Sequence, residues 1–155
     1  MSEMPEIRKL FHDILNNLNV FSSVAYIYIC EAEEIEKKKF SGQDEQTQKK
    51  NLIERLRDAC ESLQSESCAL EKNVDFLIKY LEKDQEKKIK QSVALLQGVL
   101  PLLMDLSKTL SAGSLTDFAH ELKQRMNTAY ESIHAQADFF MEIKETLKKS
   151  GKYPI

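Results

Sequence analysis

Apolar residues recur along this chain in alternating steps of four and three, the spacing that lays one continuous stripe down an α-helix. The first stripe is Ile7, Phe11, Ile14, Leu18, Phe21, Ala25, Tyr28 and Ala32. A second runs through Leu52, Leu56, Ala59, Leu63, Leu70, Val74, Leu77 and Leu81, and a third through Ile89, Val93, Leu96, Leu100, Leu103, Leu106 and Leu110. The fourth is Phe118, Leu122, Met126, Ala129, Ile133, Phe140, Ile143 and Leu147. The punctuation between stripes agrees with them. Pro5 suits a first helical turn, Lys37-Lys38-Lys39 complements the negative end of a helix dipole, and Ser41-Gly42 reads as a stop. Asp84 reads as a cap, Ser114-Leu115-Thr116-Asp117 comes close to a capping box, and Ser150-Gly151 should end the last helix. Together these signals predict helices over about Pro5 to Phe40, Glu45 to Glu82, Asp84 to Ser111 and Leu115 to Lys149.

Two interruptions stand out. Ser65-Glu66-Ser67 breaks the second stripe and reads either as a polar layer that sets register or as a weak turn. Pro101 removes one ladder hydrogen bond and crowds the carbonyl of Gln97, which predicts a kink near Gly98 to Pro101. No strand pattern competes. Four long helices with short connections pack most simply as an all-α, antiparallel up-down-up-down four-helix bundle, here one domain over all 155 residues.

Composition narrows the partners. Charged residues make up 30% of the chain, yet the formal net charge is only -3 and acids and bases are interleaved, so no face reads as a nucleic-acid binder. Cys30, Cys60 and Cys68 are odd in number and without CxxC spacing, which argues against a disulfide framework or a zinc site and suits a reducing compartment. The opening Met1-Ser2-Glu3-Met4-Pro5-Glu6 lacks the basic region and apolar run of a signal peptide. The longest apolar runs, Val24 to Cys30 and Val99 to Met104, fall well short of the roughly 20 residues of a membrane span. The expectation is a cytoplasmic protein with no cofactor, no metal and neither nucleic acid nor membrane as a partner.

Chemistry enters with His12-Asp13-Ile14-Leu15-Asn16-Asn17-Leu18-Asn19-Val20-Phe21. At about 100° per residue, a stripe centred near Ile7 and Leu18 places His12 roughly 140° and Asn16 roughly 180° from the core. Both should face water on adjacent turns, which excludes a packed core histidine and leaves either an ordinary surface residue or a reactive one. A neutral imidazole is a good nucleophile towards phosphorus near neutral pH, and its phosphoramidate passes the group on readily. Asp13 is placed to set the tautomer or act as a base, and Asn16 to orient a water or phosphoryl oxygen.

The segment resembles the phosphoacceptor box of histidine-kinase dimerization and histidine phosphotransfer domains, which commonly runs His-Asp-Leu-x-Asn-Pro-Leu-Asn-x-Ile. Asn17 stands where that family usually has proline, and the likeness covers about fifteen residues, roughly Leu10 to Ala25. It implies His12 as phosphoacceptor, Asp13 in phosphorylation of the histidine, and Asn16 in dephosphorylation of a partner regulator. The implied partners are a response-regulator receiver domain, a histidine kinase, or both. Gly42, Gly98, Gly113 and Gly151 are isolated and supply no glycine-rich nucleotide lid, so no autonomous kinase activity is expected. The implied role is a phosphoryl relay, or a phosphatase cofactor for a response regulator.

His120, followed by Glu121 but with Gln124 in place of the asparagine, reads as solvent-facing helix. His120, Asn127 and His134 are seven residues apart, two turns or roughly 10 Å, which is too far for shared metal ligation. Val20 and Ile27 fall roughly 220° and 200° round the first helix, where an isolated amphipathic helix should be polar. They are candidate contacts for a receiver domain or a second copy, or else scattered surface residues. The rival to the relay is a non-catalytic helical adaptor in which His12 is incidental.

Overall fold

The computed structural model describes residues 6–38, 42–109 and 113–151. Among these, five α-helices and no strands follow one another: α1 Ile7–Lys37, α2 Gly42–Ile78, α3 Lys83–Gln97, α4 Val99–Thr109 and α5 Leu115–Lys149. Each of the predicted stripes turns inward. Every residue of the first and fourth stripes is buried, and the buried residues of all five helices form one apolar cluster. Helix α1 lies chiefly against α5 and α2; α3 and α4 each pack on both α2 and α5.

Several boundaries differ from those predicted. Helix α1 ends at Lys37, where the Lys38 amide turns back to Ile35, and Gly42 opens α2 instead of stopping α1. Helix α2 runs unbroken through Ser65-Glu66-Ser67, because Ser67 is buried and accepts a hydrogen bond from Gln97 across the interface at 2.9 Å. The triplet is a polar layer and not a turn. Helix α2 stops at Ile78, and the amides of Tyr80 and Leu81 bond three residues back in a tightened final turn. Glu82, not Asp84, caps α3. Its side chain accepts from the Gln85 backbone while Gln85 returns to the Glu82 amide at 3.2 Å, a reciprocal box that leaves Asp84 in the first turn. At α5 the Ser114 cap is as expected, accepting from Asp117 N, and Glu45 of α2 accepts from the first-turn Leu115 amide at 2.7 Å. Leu110, expected in the third stripe, lies outside the described residues.

The expected kink is a break at Gly98 that divides α3 from α4. Pro101 has no N–H for the Gln97 carbonyl, and a Cβ at Gly98 would stand 3.2 Å from the Leu95 carbonyl oxygen, so the glycine admits a closer backbone approach than alanine would. By length and composition alone, Lys83–Leu106 is apolar enough to cross a membrane, a stretch that counting uninterrupted apolar runs misses. Two of its polar residues are turned to other helices: Ser92 donates to Gln136 of α5, and Gln97 donates to Ser67 and Glu71 of α2.

Candidate functional site

His12 sits in the second turn of α1 with its side chain 72% exposed, and Asn16 is exposed one turn on. Behind them Phe11, Ile14, Leu18 and Phe21 are buried, so the helix face assigned from the stripe is the one observed. The imidazole Nδ1 lies 3.4 Å from Asp13 Oδ1 and 3.4 Å from Asn16 Nδ2. Asp13 is itself half-buried at the margin of the core. A carboxylate beside Nδ1 favours the tautomer with its proton there, in which Nε2 carries the lone pair and the Asn16 amide does not donate to the ring. The helical periodicity also brings Arg8 and Lys9 to the turn before His12, both exposed. These two cations went unnoticed in the motif, although their i−4 and i−3 spacing from the histidine was available to find them.

Asn17 behaves quite differently. It is buried, donates to Glu66 Oε2 at 2.7 Å and accepts from Asn73 Nδ2 at 3.0 Å, both on α2. Among the described residues no buried side-chain nitrogen or oxygen is left without a partner. Where the resembled family usually bends its helix with a proline, this chain ties α1 to α2 by an amide.

Of the two apolar residues expected opposite the core, only Ile27 is there, 55% exposed beside Tyr26. Val20 is half-buried and packs against the core margin, a correction with a simple cause: α2 and α5 both flank α1 and cover more of its circumference than a single stripe accounts for. Tyr26 stands 6.2 Å from Tyr130 of α5, whose ring meets His134 edge-on at 4.4 Å. The Tyr26 hydroxyl is pushed up from its ordinary pKa by the hydrogen bond with Cys30, whereas burial pushes Tyr28 up to about 12. Burial also raises the Cys60 thiol.

His120 is bonded in its own way. Gln124 Nε2 lies 3.3 Å from its Nε2, and Glu36 of α1 places Oε1 3.7 Å from its Nδ1. Asn127 and His134 do not join it, and among the described residues no group of three histidine, cysteine or acidic side chains is placed to hold a metal ion. No family model, curated protein or solved structure matches the chain.

Proposed function

We propose that the chain is a histidine phosphotransfer protein of two-component signalling, a single cytoplasmic domain built as an antiparallel up-down-up-down four-helix bundle. The observation that carries the reading is the exposed His12 imidazole with Asp13 and Asn16 gathered at Nδ1. The bundle topology is supported by pairs such as Asn17 with Glu66 and Glu31 with Arg55, in which residues further along α1 meet residues earlier on α2. Tyr26 with Tyr130 and Glu36 with His120 run in the same opposed sense between α1 and α5.

In the proposed transfer, the Nε2 lone pair of His12 attacks the phosphorus of an aspartyl phosphate on a receiver domain. The N–P bond forms as the P–O bond to the aspartate breaks, and the electron pair leaves with the carboxylate. Asp13 holds the Nδ1 proton and offsets the positive charge that grows on the ring. Arg8 and Lys9 lie one turn away to offset the phosphoryl charge, and Asn16 orients a phosphoryl oxygen. Transfer in the other direction retraces these steps.

Incubation with a phosphorylated receiver domain, or with a kinase and ATP, tests the reading. Acid-labile label is expected on the peptide containing His12, and His12→Gln should remove it from that peptide. Absence of label from several donors sinks the relay and leaves the helical adaptor, a reading favoured by the exposed pair Tyr26 and Ile27. Ile27→Lys should keep the helical content and weaken receiver binding or self-association. Unchanged binding and sedimentation would reduce Ile27 to an isolated surface residue.

A further inference from the structure

The same residue types recur around a second histidine, at the other end of α1 and α5, in a different arrangement. His120 is followed by the acid Glu121, which pairs with Arg125, and the amide of Gln124, four residues on, lies 3.3 Å from Nε2, whereas Asn16 lies 3.4 Å from Nδ1 of His12. The two imidazoles are matched in exposure, 70% and 72%. His120 adds a carboxylate from another helix, Glu36, whose second oxygen lies 3.6 Å from Lys123 Nζ. It also borders a cleft of about 800 Å³ lined by Glu36, Thr116, Asp117, Gln124 and Arg125. Glu36 near Nδ1 favours the proton on that nitrogen and so leaves the lone pair on Nε2, beside the Gln124 amide. Lys123 offsets Glu36, and Arg125, 2.7 Å from Glu121, brings to the cleft wall the side chain best matched to phosphoryl oxygens.

We infer that His120 is a second phosphoryl-acceptor site, taking the group at Nε2 from an acyl phosphate or a small phosphoryl donor. The inference rests on reading the His12 constellation as an acceptor, since it extends the same chemistry to a second histidine. The Nε2 lone pair forms the N–P bond. The donor's P–O bond breaks, its carboxylate leaves with the electron pair, and the Nδ1 proton is held towards Glu36. Glu36 marks the His120 end of α1, about 36 Å along the helix from His12. A single receiver active site therefore engages one histidine at a time, and the two acceptors load independently.

The test uses the full chain and radiolabelled phosphoramidate, which transfers its phosphoryl group with loss of ammonia. Wild type, His12→Gln, His120→Gln and the double variant are labelled, digested at neutral pH, and the peptides containing His12, His120 and His134 are counted separately. Wild type should carry label on the His12 and His120 peptides and not on that of the exposed His134, each single variant should retain about half, and the double variant should retain none; equal labelling of His134 would show that exposure alone suffices and overturn the site. Gln124→Ala should slow labelling of the His120 peptide alone. Label confined to the His12 peptide, with His120→Gln matching wild type, overturns the second site and leaves the first. Label confined to the His120 peptide supports this acceptor and removes the role given to His12. An unlabelled wild-type chain overturns both.

Discussion

Asn16 and Asn17 are the same side chain on neighbouring residues of one helix, and they do opposite work. Asn16 is in water, 3.4 Å from a histidine that is itself exposed. Asn17, a rotation of about 100° away, is buried and ties α1 to two residues of α2 at 2.7 and 3.0 Å. In water a protein hydrogen bond replaces one with solvent and gains little, whereas in the interior its loss strands the partners. The face with chemical interest is thus free to change, and the face beside it is not. Tyr26 and Tyr28 repeat the contrast, the first 57% exposed and the second 5%.

The comparison breaks most visibly at Leu18, next to Asn17 and 1% exposed. Leu18→Asp places an unpaired carboxylate in the core and should cost about 3 kcal/mol or more, enough to abolish a cooperative thermal transition. A folded variant with a near-native melt would mean that the buried face of α1 has been misassigned. Asn17→Ala removes one partner from the polar layer and should cost about 1–3 kcal/mol, with a non-additive result when combined with Glu66→Ala. Denaturant titration of the two singles and the double decides that point; strict additivity would show that Asn17 and Glu66 do not support one another.

Tyr28 gives a smaller effect, absent at neutral pH. Its folded pKa of about 12 lies above the ordinary value of 10.0, because burial opposes the phenolate. The stability this represents is therefore fully present below pH 10 and is lost as pH rises towards 12. Tyr28→Phe should flatten the alkaline arm of the stability profile more than Tyr26→Phe, whose hydroxyl is raised in the same direction but stands in solvent; equal responses would erase the distinction between the two faces. Smallest of all, His12→Gln and Asn16→Ala should each shift stability by under about 0.5 kcal/mol. Calorimetry showing a loss as large as that of Asn17→Ala would make His12 a structural residue.

The stripes were readable because burial of a helix face follows from spacing alone: Ile7, Phe11, Ile14 and Leu18 needed no knowledge of what lies opposite. The same argument put His12 and Asn16 in water. What spacing does not contain is the identity of the residue across the interface. Asn17 meets Glu66 and Asn73 after 49 and 56 intervening steps of chain, so its environment depends on the packing of α2 on α1. Val20 is half-buried for the same reason, since two neighbours flank α1. The α3 cap differs from expectation for a more local reason. Asp84 is the commoner capping residue, but the reciprocal Glu82–Gln85 box engages two backbone amides at once and starts the helix earlier.

The break at Gly98 has a consequence for how the molecule breathes. The Leu102 amide reaches the Gly98 carbonyl at 3.4 Å, and Pro101 has no amide hydrogen to contribute, so the hydrogen-bond ladder between Lys83 and Thr109 is thinnest at this point. Solvent hydrogen exchange samples the ladder wherever it opens most easily. Protection along this stretch should therefore rise through α3, dip across Val99 to Leu102 and rise again in α4, so that the two halves open as separate units while the long, uninterrupted α1 and α5 exchange from their ends inward.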